Sequence, residues 1–406
     1  AGLGRYAVWM MLMMAMACTP EDGDGGGTNP DAGPPAKAEC LMRDHISTVT
    51  VADESIDIMW PVDTRGAIAP GRGNSTELPD LSCFSNQEPV ASLPLNTWAC
   101  VDIFGPGETV TGLEVALWED DGSDRSQATP ATMGTVKGCD EVQGADEAQT
   151  LQLQALCDEL CEFRGMVHLP NAPGGVPVVA RVRTGDVTDD GVVDLNDRLR
   201  MPFVDTWVYG VTLNPIETTG TCDEDCGDNV CFRGICLPAD TSMLTAVAIT
   251  ENSYSTIPIV SGVGRIQGDD DLLDGNGNGA IAGAIADCND DAIAGAAVAS
   301  SAANLSTRTA YFQGDYPSPQ KRGTEGDATY VLLNHPPGPA LIAAFVHNEM
   351  CDADHQADCV CDGLEDAELT TQRSGERATL KLVGGQRVRV YPDSVTILSM
   401  RYGLMP

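Results

Sequence analysis

The chain has 406 residues, 42% apolar and 20% charged, with 60 Asp and Glu against 23 Lys and Arg for a formal charge of −37. That length allows two or three domains, each able to bury a core, and the composition excludes wholesale disorder. So acidic a balance excludes a nucleic-acid binder, which needs a basic stripe over the phosphates, and 15 cysteines point to an oxidising compartment.

Residues 6–17 form an apolar run. It is shorter than the roughly 20 residues of a membrane span and fits the core of a secretory leader. It ends on Ala15-Met16-Ala17-Cys18, small residues before a cysteine, which resembles the bacterial lipobox. The resemblance implies a signal peptide over 1–18 and Cys18 as the site of lipid attachment. Thr19, where Asp would retain the protein at the inner membrane, implies the outer membrane or cell surface. Residues 19–39 are mostly Gly, Pro, Asp and Ala. They bury too little to offset their ordering entropy and read as a flexible tether.

Beyond residue 40 a period of two dominates, the mark of half-buried strands. Leu113, Val115 and Leu117 alternate with polar or small residues. Residues 146–163 break the pattern. Leu153, Leu156, Cys157 and Leu160 recur at helical spacing, and Asp146 and Glu147 suit the positive end of a helix dipole. Strands resume with Val176, Val178, Ala180 and Val182, then with Trp207, Tyr209, Val211 and Leu213. Cys222, Cys226, Cys231 and Cys236 follow without a histidine or a C-x2-C pair, which argues against a zinc ribbon and predicts two local disulfides. Cys157 and Cys161, four apart on the helix, project side by side and should reach separate partners. Last come Ala378, Leu380 and Leu382, then Val388 and Val390 with Arg387 and Arg389 on the other face.

The chain also repeats itself. PGGVPVVARV at 173–182 aligns without gaps on PGPALIAAFV at 337–346, and VTGLEVALW at 110–118 matches IAGAAVASS at 293–301 in pattern. Ile281-x-Gly283-x-Ile285, Ile293-x-Gly295-Ala296-x-Val298, Tyr330 and Pro336-Pro337-Gly338 resemble the carboxypeptidase regulatory-like or transthyretin-like β-sandwich, close to Cna B-type repeats. Ala328 stands where that family usually has Gly. The first half matches more loosely through Val110, Gly112, Val115, Gly165, Leu169, Pro170 and Gly174. The expected fold is therefore all-β: tandem transthyretin-like β-sandwiches, one with a helical insertion, joined by a disulfide-rich linker. The boundaries are 40–218 for the first sandwich, 219–240 for the linker and 241–406 for the second.

One stretch spaces its acids as a calcium loop does. In residues 186–197, Asp186, Thr188, Asp190, the Val192 carbonyl, Asp194 and Asp197 fall at positions 1, 3, 5, 7, 9 and 12, with Gly191 at the sharp turn of position 6. This resembles a single dockerin or EF-hand loop, with Asp in place of Glu at position 12, and implies calcium as the cofactor. In residues 268–279, Asp274, Asn276 and Asn278 mimic the first three ligand positions, but position 12 is Ile285, so a solvated turn is expected. The acidic run 349–368 reads as a disulfide-closed loop. His45, His168, His335, His347 and His355 form no HExxH helix, and no nucleophile elbow or phosphate loop is supported.

The expected function is that of a non-enzymatic, lipid-anchored cell-surface protein serving as a structural or binding module. Its partners are the membrane through the anchor, and a surface protein or polysaccharide; nucleic acid is excluded. One alternative is a calcium-dependent adhesin or carbohydrate-binding protein using loop 186–197 and an exposed Trp207. Another is a secreted hydrolase with an unrecognised carboxylate site.

Overall fold

The computed structural model describes residues 45–51, 54–60, 71–72, 92–106, 109–144, 146–222, 226–263, 266, 277–314, 316–318, 321, 323–347 and 380–401. The leader, Cys18, the tether, acids 349–368 and most of 268–279 lie outside the described residues.

The fold is all-β, and one mixed sheet is its spine. Its strands lie in the order Thr132–Thr135, Leu113–Glu119, Pro177–Thr184, Phe203–Thr212, Ser394–Leu398, Gly279–Ala286, Thr329–His335, Arg308–Gln313 and Tyr316–Ser318. A second layer holds Gly165–Gly174, Leu93–Phe104 and Thr241–Thr250. Phe203–Thr212 belongs to both layers. Phe203 and Val204 pair with Thr250 and Ile249, and from Asp205 onward the strand pairs with Ser394–Leu398. A third layer holds Ala297–Ser300, Gly338–His347 and Leu380–Val390.

The spine is buried on both faces where the layers overlap. Val178, Ala180 and Val182 enter the core beneath the second layer, with Leu113, Val115, Leu117 and Val208. Val179, Trp118, Trp207 and Tyr209 point the opposite way, into a core shared with Ile342, Ala344, Val388 and Val390 of the third layer. A strand covered on both faces reads as a nearly continuous apolar run, which is why residues 176–182 carry so little polarity.

Strands from either side of residues 219–240 lie side by side in the same sheet. Thr241–Thr250, assigned by sequence to the second half, runs parallel to Leu93–Phe104 along its length, from Thr241 opposite Asn96 to Ile249 opposite Phe104. Ser394–Leu398 lies parallel between Phe203–Thr212 and Gly279–Ala286. Parallel neighbours need long crossovers, so these contacts leave no local trace in the sequence.

The repeat has a structural counterpart. Leu113–Glu119, Pro177–Thr184 and Phe203–Thr212 form an antiparallel trio, and so do Ala297–Ser300, Gly338–His347 and Leu380–Val390. The registers differ by two residues: Val115 faces Val182, whereas Val298 faces Ala344 rather than Val346. A two-residue slip keeps every side chain on its face. The aligned glycines Gly112 and Gly295 both sit in the left-handed region, at φ 98° and 78°. That is conformational freedom other residues lack.

Helix α1, Glu147–Leu160, falls where predicted, with the Asp146 side chain accepting from the Gln149 amide as its N-cap. Leu153 and Leu156 are buried against the outer face of the second layer. Cys157 bonds Cys139 and Cys161 bonds Cys100, the separate partners that their spacing predicts. Two further disulfides, Cys222–Cys231 and Cys226–Cys236, close the knot. The knot packs Phe232, Ile235 and Leu237 against the α1 cluster, and Arg233 pairs with Glu159 of α1 at 2.9 Å. It is a covering piece of the first half.

Candidate functional site

Loop 186–197 follows Pro177–Thr184 and runs into helix α2, Leu195–Arg200. Asp186 closes the loop on itself. Its two oxygens accept from the amides of Asp190 (3.1 Å) and Gly191 (2.6 Å), and the Thr188 hydroxyl lies 3.5 Å away. Gly191 takes φ 86°, the turn required at position 6. Asp190 accepts from the Val192 amide at 3.0 Å.

The last two acids are set by α2. Asp194 is its N-cap, accepting from the Asn196 amide at 2.7 Å. Asp197 is the third residue of the helix and is fully buried. Its carboxylate accepts from the amides of Asp194 and Thr188, both at 2.8 Å, completing a capping box. These amide donors, that of Asp194 foremost, hold the Asp197 carboxyl below its ordinary range. The loop thus gathers Asp186, Thr188 and Asp190 at one end and seats Asp194 and Asp197 on the helix at the other. The donors are all oxygens, the chemistry a hard cation such as calcium prefers. In this arrangement, backbone amides occupy the carboxylates.

Among the described residues, the ligand atoms of three His, Cys, Asp or Glu side chains meet within 4.8 Å of one another at Cys222, Cys226 and Cys236 alone. These sulfurs are in disulfides and offer no thiolate. Of Asp274, Asn276 and Asn278, Asn278 is described. It donates to the Asn334 side-chain oxygen at 2.9 Å.

Trp207, expected to be exposed, is 2% exposed. It stacks on Tyr391 with centroids 4.0 Å apart and lies 5.6 Å from Trp118, beneath the Arg181 guanidinium, which pairs with Asp205. The third layer covers that face of the spine, so this aromatic group is core rather than a sugar platform.

A buried Ser300–His335 pair has no counterpart among the sequence motifs. Ser300 Oγ lies 2.7 Å from His335 Nε2, and His335 Nδ1 lies 2.7 Å from the Pro336 carbonyl. Ser300 is 3% exposed and His335 fully buried. The residues are 35 positions apart on strands of different layers, and no local motif links them. The pair has the contact of a nucleophile and its base, but its depth gives it a structural part.

Compared with protein-family models, curated proteins and solved structures, the chain matches none.

Proposed function

We propose that the protein is a non-catalytic, lipid-anchored surface module. Its β units, of the carboxypeptidase regulatory-like kind, would be held off an outer membrane by residues 19–39 and would serve a structural or binding role. The observation that carries this is the set of disulfides Cys100–Cys161, Cys139–Cys157, Cys222–Cys231 and Cys226–Cys236. Such bonds persist in an oxidising compartment, the destination that the leader and Cys18 encode. Asp197 and His335 support the non-catalytic reading, since their polar atoms are engaged with backbone and core groups. Mass spectrometry of the native protein is the test. A diacylated N-terminal Cys18 is expected; an unmodified Cys18 or a retained leader removes the anchor.

The course of loop 186–197 favours a second reading, a calcium-dependent adhesin or carbohydrate-binding protein. Positions 9 and 12 fall on the N-cap and third residue of the following helix, and position 6 makes the sharp turn. Ligand binding to the folded state raises its melting temperature. A rise in millimolar calcium that chelator reverses is expected under this reading; no change ends it.

A further inference from the structure

The part of the spine that belongs to the second half is apolar on both faces. Ile281, Tyr330 and Leu332 enter the core shared with the third layer, while Ala280, Val331, Leu333 and Val395 face the other way. A solvated sheet face would carry polar residues there, so this face needs cover. Helix α3, Glu251–Val260, supplies part of it through Tyr254 and Ile257. Between α3, the end of Leu93–Phe104 and the sheet there remains a concavity of about 220 Å³. Half-buried Ala282 and Ala284 form its floor, with Phe104, Ile257, Phe312 and Ile397 among its walls. Phe104 remains 37% exposed and meets Phe312 edge-on, centroids 6.1 Å apart. The small side chains of the Gly279–Ala286 strand leave this space open.

We propose that this groove binds a neutral, linear aliphatic molecule. The chain carries −37 overall, yet among the described residues no charged one lines the groove, so these walls complement an uncharged occupant. The Tyr254 hydroxyl on its rim donates to the Asn278 carbonyl, and that of Thr329 to the Asp327 carbonyl. Ser399 is the remaining side-chain hydroxyl of the lining; against walls otherwise apolar, a strongly polar ligand would lose more hydration than one hydroxyl returns, whereas an alkyl chain loses nothing. At the roughly 30 Å³ that a water-sized group takes in the liquid, the groove holds a chain of about seven carbons. A second protein copy needs a far larger contact, about 800 Å² on each side. The inference does not depend on the surface-anchor reading: a protein without the lipid binds the same molecule.

Calorimetric titration of the full chain with straight primary alcohols, butanol to decanol, tests this. Affinity is expected to tighten about fourfold per added methylene and to level off near seven or eight carbons. Ala282→Phe fills the floor and should weaken octanol at least tenfold while leaving the circular dichroism unchanged. Should that variant misfold, Ala282→Ser places a hydroxyl in the groove at little cost in volume and should weaken octanol several-fold. The absence of octanol binding, affinity without chain-length dependence, or a folded Ala282→Phe that binds as the parent does would each overturn the proposal.

Discussion

The Ser300 hydroxyl and the His335 ring, 2.7 Å apart, tie the third layer to the spine inside the second half. The Pro336 carbonyl can only accept, so His335 carries its proton on Nδ1 and Nε2 takes the hydrogen of Ser300. Ser300 Oγ in turn accepts from the Ala302 amide at 3.2 Å. Replacing Ser300 with Ala strands a buried ring nitrogen, and the expected loss is about 1–3 kcal/mol, measured by urea unfolding.

The same pair sets a pH dependence. Burial holds the His335 imidazole below its ordinary value of 6.5. As pH falls, the unfolded chain takes up this proton first and binds more protons than the folded one. The contribution to stability is therefore complete above pH 6.5 and is lost as pH falls toward the folded value. Burial depresses His168 in the same direction. Urea midpoints should fall between pH 7.5 and 5.5, and His335→Gln should flatten part of that slope. An unchanged slope in the variant would assign the effect elsewhere.

Ala328 occupies the left-handed region at φ 55° and is fully buried. Glycine would adopt that backbone without strain. Ala328→Gly relieves strain but loses a buried methyl, and stability should change by less than about 1 kcal/mol. Ala328→Val adds β-branching to a positive φ and should cost upward of about 2 kcal/mol. Thermal melts of both variants measure the contrast, and a tolerated Val would contradict it.

The disulfides differ in the loops they close. Cys100–Cys161 spans 61 residues, and Cys226–Cys236 spans 10. Loop entropy predicts losses of about 4 and about 3 kcal/mol when each pair is replaced by alanines. Denaturant titrations of the two double variants should rank them in that order.

Asp194 caps α2, and Asp194→Ala should cost about 1 kcal/mol. Under the calcium reading, Asp186→Asn and Asp190→Asn should also abolish any calcium-induced rise in melting temperature. A rise that survives both substitutions would place the ion elsewhere.

Trp207 stacks on Tyr391 and lies beside Trp118 where the third layer meets the spine. Trp207→Ala should cost about 3–5 kcal/mol, read from chemical unfolding. A loss below 1 kcal/mol would mean this face is not the core described.

Much of the architecture was legible because it is local. Leu113, Val115 and Leu117 disclose a strand through their period of two, and Leu153, Leu156 and Cys157 disclose α1 through theirs. The spacings within 222–236 and at Cys157 and Cys161 foretell two bonds in the knot and separate partners for the helical cysteines. Gly191 foretells the turn in loop 186–197. Contacts between distant segments were not legible. Nothing near Thr241 or Ser394 records that their strands enter sheets begun by Leu93–Phe104 and Phe203–Thr212. The aromatic character of Trp207 is the same in a core as on a surface, and only the third layer decides which it is.

By itself, then, the sequence determined an acidic, cysteine-rich β-protein and its internal repeat, because side-chain periodicity and backbone freedom are properties of neighbouring residues. The tertiary structure alone decided that strands of the two halves share one spine, that His335 meets Ser300, and that an apolar groove opens over Ala282. Each of these depends on which faces are covered, and burial is settled by segments far apart in the chain.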